Sequence, residues 1–113
     1  MKFVKRESRR GNTYDGIIMD PPSYGRGTRG ETWKIDKFLL ELVKQCMKIL
    51  STDPLFFLVN SYTAGYSHLV LNNLLMSTVG KVFQGRVESG ELCLPVSGTS
   101  FVLPCGVFGR WEK

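Results

Sequence analysis

The sequence predicts an α/β fold, ordered strand, helix, strand, helix and then a β-hairpin with one antiparallel strand. Three observations carry this. Two short apolar runs, YDGIIMD at 14–20 and LFFLVN at 55–60, are bounded by turn residues, as in strands of a parallel sheet. Each precedes an amphipathic segment with helical spacing. The tail then turns β-rich, with ELCLPV and SFVLPCGVFGRW joined by SGT. Alternating strands and helices imply parallel strands and right-handed crossovers.

KFVKRESRR reads as a short basic helix ending near Gly11, the tail of a helix whose beginning is missing. YDGIIMD reads as a strand buried on both faces. A loop, DPPSYGRGTRG, follows it. In the helix at about 35–50, Ile35, Leu39, Leu42, Val43, Cys46, Ile49 and Leu50 recur at three- and four-residue steps. Pro54 ends this segment, because it cannot continue a helix and restricts Asp53. After LFFLVN comes the turn SYTAGYS, with Ser67 as N-cap of a second helix and Gly80 as its C-cap. Pro95 and Pro104 mark irregular or edge positions in the hairpin.

The chain has 113 residues, enough for one small domain with a modest core. Its net charge of +5 favours acidic partners, nucleic acid above all, although a basic surface without a partner fits the charge equally well. The three cysteines, Cys46, Cys93 and Cys105, are odd in number and lack a C-x-x-C pair. That argues against a disulfide framework or zinc site and for buried thiols in a reducing cytosol. No apolar run approaches the ~18 residues of a membrane helix. The first ten residues lack a signal-peptide core. The expectation is a cytoplasmic protein with no membrane partner and no metal.

GRGTRG spells a dinucleotide-binding fingerprint through Gly25, Gly27 and Gly30, but its context is wrong. Asp-Pro-Pro-Ser-Tyr separates it from the strand, and the acid that should end the next strand, Asp53, precedes it. As a mobile loop it puts Arg26 and Arg29 within reach of phosphates; a plain solvated loop is the equal alternative. Asp-Pro-Pro carries more chemistry. Ligands of open α/β sheets bind outside the carboxyl ends of the strands, where Asp20 stands. An ionised carboxylate only accepts hydrogen bonds, and Pro21 and Pro22 add rigid carbonyls without N–H groups. Tyr24 can stack on a flat ring. The set suits a nucleobase bearing an exocyclic amine, against the alternative of a capped turn. Asn60, Ser61 and Tyr62 end the neighbouring strand at the same crest, as second-side contacts or as turn residues. His68, the only histidine, reads as a cap or surface residue.

YDGIIMDPPSYGRG resembles motif IV of class I S-adenosylmethionine (SAM)-dependent methyltransferases. Within them it is most similar to the bacterial Asp-Pro-Pro-x-aromatic group related to the ribosomal RNA large subunit methyltransferases. LFFLVNSYTAGYS resembles that family's fifth strand and turn. ELCLPV and LPCGVFGRW resemble its sixth and seventh strands, the last antiparallel. The resemblance implies the C-terminal half of a Rossmann-like methyltransferase sheet, with residues 1–113 forming a single partial domain that is incomplete and inactive alone. It implies catalytic roles for Asp20, Pro21, Pro22 and Tyr24. Asp20 and Pro21 would make edge contacts to SAM, whose main site belongs to three earlier strands. Arg26, Arg29, Asn60, Ser61 and Tyr62 would bind the substrate, an RNA base. Methylation at C5 of cytosine needs a cysteine nucleophile, and the corresponding places hold Ser23 and, approximately, Tyr62. Nitrogen methylation is favoured instead. The expected partners are RNA, and either a missing N-terminal half or a second copy pairing at the exposed edge of the first strand. Two rival functions stand beside this: a non-catalytic module binding RNA or a partner chain, and a methyltransferase for a small molecule or protein amide.

Overall fold

The computed structural model describes residues 1–113. Helix α1 (Lys2–Arg10) closes in a left-handed turn at Gly11, φ 72°. There the Gly11 N–H reaches the Ser8 carbonyl and the Asn12 N–H the Glu7 carbonyl, both at 3.2 Å, which satisfies the helix end. Strand β1 (Gly16–Met19) follows. A two-stranded ribbon, β2 (Tyr24–Arg26) and β3 (Thr32–Lys34), leads into α2 (Ile35–Met47). Next come β4 (Phe56–Ser61), α3 (His68–Ser77) and the single turn α4 (Val79–Val82). The chain closes with the hairpin β5 (Arg86–Pro95) and β6 (Val102–Glu112).

The main sheet has the order β1-β4-β6-β5. β1 and β4 are parallel, and β6 runs antiparallel to both β4 and β5. This is the predicted mixed architecture. Strand alternation sorts the side chains. One face presents Met19, Phe57, Val59 and Trp111 to Leu39, Val43 and Cys46 of α2 and to Leu71 and Leu75 of α3. Gly109 permits the close approach of α3: a Cβ there would lie 2.8 Å from that of Leu71. The Ser67 side chain caps α3 as predicted, accepting from the Leu69 N–H at 3.2 Å.

The opposite face is bare. Ile18 is 66% exposed, and Phe56, Leu58 and Phe108 are only half-buried. The prediction of a first strand buried on both faces therefore fails: β1 is an edge strand, and the helices cover one side only. Gly80 does not cap the second helix either. Thr78 breaks it earlier, because its hydroxyl donates to the Leu74 carbonyl at 2.6 Å and its backbone leaves the helical region. Of the three cysteines only Cys46 is core, and burial pushes its thiol up to about 11. Cys93 is exposed and Cys105 half-buried, because the hairpin tip runs past the end of β4 and nothing covers it.

Glu7, which the sequence does not single out, clamps α1 to the approach of β1. Only 5% exposed, its carboxylate accepts from Asn12 Nδ2 and Tyr14 Oη, both at 2.7 Å, and from Arg10 at 3.3 Å. The bonds from Asn12 and Tyr14 hold the carboxyl below its ordinary 4.5, and the Glu7 bond raises the Tyr14 phenol above its usual range. A carboxyl lowered in the folded state stabilises fully above its unfolded value and stops doing so as pH falls through its folded value. Thermal melts should therefore show stability falling below about pH 4.5. Glu7→Gln should lower the melting temperature at pH 7 and flatten that fall. Part of the fall persists, because Arg86 lowers the Glu112 carboxyl in the same sense. An unchanged acid profile in the variant would remove Glu7 from the clamp.

Candidate active site

Asp20 leaves the carboxyl end of β1 as an exposed carboxylate. Pro21 beneath it is buried. Pro22 is exposed, but its carbonyl accepts the Trp33 indole N–H at 2.6 Å. Of the two proline carbonyls expected to face a ligand, this one is therefore occupied, because the ribbon folds back over it. The Ser23 carbonyl accepts from the Ile35 N–H at 3.1 Å, tying the same segment to the start of α2.

The glycine stretch forms a hairpin rather than the mobile loop that the sequence suggests. Tyr24 pairs with Lys34, and Arg26 with Thr32. The Gly27 N–H reaches the Glu31 carbonyl at 2.8 Å, and Gly30 turns at φ 80°. These glycines close a β-turn and do not open a helix, so they form no dinucleotide-binding turn. Tyr24 is 53% exposed, and its hydroxyl accepts from Arg26 Nε at 3.2 Å. Arg26 and Arg29 are exposed, and neither is ion-paired with a carboxylate.

The neighbouring crest belongs to β4. Met19 and Val59 form the last pair of the β1–β4 ladder, and Asp20 and Asn60 are the residues that follow them. Asn60 shares a face with Leu58, and its Oδ1 is buried without a hydrogen-bond partner. A buried acceptor left unpaired costs free energy until a donor reaches it. Ser61, 1% exposed, turns inward, and its Oγ accepts from the Thr63 N–H at 3.4 Å. Tyr62 is 55% exposed and packs at Gly106, where a Cβ would come within 2.7 Å of its ring. A 2.7 Å hydrogen bond between Ser23 Oγ and Thr63 Oγ1 joins the two crests.

Asp20 and Asn60 thus both follow the last paired rung, Ser61 points away, and the arginines ride on or beside the ribbon. A cavity of about 830 Å³ runs from Pro21 and Pro22 past Trp33 and Phe38 to Phe3. Trp33 and Phe38 stack in its wall, centroids 5.7 Å apart. Sequence reasoning misses this wall. The only signal was an aromatic pair flanking the start of α2.

No family model matches the chain, and no curated protein does. Solved structures do. A SAM-dependent methyltransferase from Agrobacterium tumefaciens superposes with a TM-score of 0.87 at 38% identity, over 99% of this chain and 37% of that one. The chain has a methyltransferase fold. Two further structures share this fold at lower identity. The protein SMU.776, described as a methyltransferase and solved with S-adenosylhomocysteine (SAH), has a TM-score of 0.67 at 21% identity, over 97% of this chain and 29% of that one. A protein from Streptococcus mutans, described as a SAM-dependent methyltransferase, has a TM-score of 0.66 at 19% identity, over 99% of this chain and 28% of that one. The chain thus spans about a third of the length of the methyltransferases that it matches.

Within this methyltransferase fold, the Asp20 carboxylate and the unpaired Asn60 Oδ1 are acceptors that suit a ligand rich in N–H donors. No glycine-rich turn between a strand and a helix is present to cradle SAM.

Proposed function

We propose that this chain is the C-terminal, acceptor-side portion of a SAM-dependent methyltransferase that acts on RNA bases, ribosomal RNA first among them, at an exocyclic nitrogen. The observation that supports it best is that Asp20 and Asn60, whose Oδ1 is unpaired, each follow the last Met19–Val59 pair at the carboxyl ends of parallel strands in a methyltransferase fold.

SAM, when bound, would supply an electrophilic methyl group on its sulfonium and would leave as S-adenosylhomocysteine. The chain supplies the positioning. Asp20 accepts one N–H of the amine, directs the nitrogen lone pair, and takes up the proton released on transfer. Asn60 Oδ1 accepts a second N–H. The Pro21 carbonyl is the remaining rigid acceptor, and Tyr24 supplies a face for stacking. Catalysis is then mostly orientation. The bare sheet face around Ile18 and the outer edge of β1 take the remaining part of the domain, or else a second copy.

The test is a chimera in which residues 1–113 replace the matching segment of the Agrobacterium protein. Given labelled SAM and total ribosomal RNA, it should label the RNA. Label in protein alone, or none with a folded chimera, would overturn this reading.

A further inference from the structure

We propose that a basic groove between α1 and α2 is the track along which a single-stranded RNA backbone reaches Asp20. It rests on the RNA reading above. The groove encloses about 760 Å³. Lys2, Lys5, Arg6 and Arg9 of α1 line one side, and Lys48, at the end of α2, faces them. No carboxylate lines it. The four α1 cations fall at helical three- and four-residue steps, which puts them on one face. The one acid of α1, Glu7, is turned inward and spent on Asn12 and Tyr14.

Most of this charge is uncommitted. Lys5, Arg9 and Lys48 take part in no ion pair; Arg6 lies 3.9 Å from Glu7, and Lys2 lies 3.5 Å from the exposed Glu31. Like charges crowded around a concavity repel one another, and a polyanion relieves that repulsion while releasing its counterions.

The groove also leads to the site. It adjoins the aromatic cavity lined by Pro21 and Pro22, with which it shares Lys2 and Phe3 and in which Glu31 is the one carboxylate. The Arg6 guanidinium sits 5.5 Å over the Phe3 ring where they meet. Cations along a groove followed by stacking faces match single-stranded nucleic acid. An anionic membrane needs an outward face with several apolar side chains, and Phe3 is the sole apolar residue of this groove.

The experiment uses the 113-residue chain, a fluorescein-labelled single-stranded RNA of about twelve nucleotides, and phosphatidylserine-containing vesicles. Anisotropy titrations at several salt concentrations give affinity and its salt slope. The triple variant Lys5→Glu, Arg9→Glu, Lys48→Glu should bind at least ~10-fold more weakly and flatten the log–log slope by about 2, at ~0.7 per phosphate contact. Lys48→Glu alone, on the other helix, should flatten it by about 0.7. All three residues are exposed, so the variant should remain folded, which a thermal melt checks. Unaltered affinity and slope in the triple variant would overturn the groove, as would binding to vesicles but not to RNA. The two proposals fail separately. Binding lost in the variant without methyl transfer by the chimera leaves the groove standing and removes the catalytic reading. RNA methylation by the chimera with a variant that binds normally does the reverse.

Discussion

Asp20→Ala in the Agrobacterium chimera should lower methyl transfer to RNA by about a hundredfold or more, with the fold intact. The side chain is exposed and forms no hydrogen bond within the protein, so its removal leaves no packing defect. On the proposed mechanism, what it removes is the acceptor that orients the amine and receives its proton. On the proposed reading the loss should fall on turnover, with little change in SAM binding. Asp20→Asn keeps an acceptor oxygen but cannot hold the released proton, so its activity should lie between. Steady-state rates with labelled SAM check both. Wild-type turnover in Asp20→Ala would reduce the acid to a turn residue.

Trp111→Ala should cost about 3–5 kcal/mol, much of the ~5–15 kcal/mol that holds a domain of this kind together. Trp111 is 1% exposed. It sits on β6 between Phe57 and Val87 and packs against Phe83 at 5.8 Å. It thereby joins both of its neighbouring strands to the helical layer. Its indole N–H is buried without a partner, which subtracts from what the ring contributes. Trp111→Phe deletes that donor and keeps most of the apolar volume, so it should cost only ~1 kcal/mol. Urea denaturation followed by circular dichroism measures both. Equal losses would mean that the site needs the full indole and that a smaller aromatic ring does not hold the strands to the helical layer.

The two substitutions mark what could be read from the chain. The parallel pair β1–β4 and its helices were legible because each buries an apolar run or stripe with a clear period. The crest at Asp20 was legible because Asp-Pro-Pro breaks a strand in only one way, and Asn60 follows from strand pairing. What lay hidden depends on contacts distant in sequence. Trp33 occupying the Pro22 carbonyl, the inward turn of Ser61 and the Glu7 clamp have no local periodicity. The ribbon was missed because Gly25, Gly27 and Gly30 suggest freedom, while their pairing comes from Tyr24, Arg26, Thr32 and Lys34 on either side. Glu7 carries no sequence signal, because a carboxylate within a basic helix looks like a solvated charge. The bare sheet face needed the layers themselves, since apolar runs do not reveal which side a helix covers.

Nucleoside mass spectrometry of ribosomal RNA treated with the chimera and methyl-labelled SAM tests the central claim most directly. The label should sit on an exocyclic nitrogen of a base and vanish with Asp20→Ala. Label on C5 of cytosine, or label that survives the loss of Asp20, would contradict it.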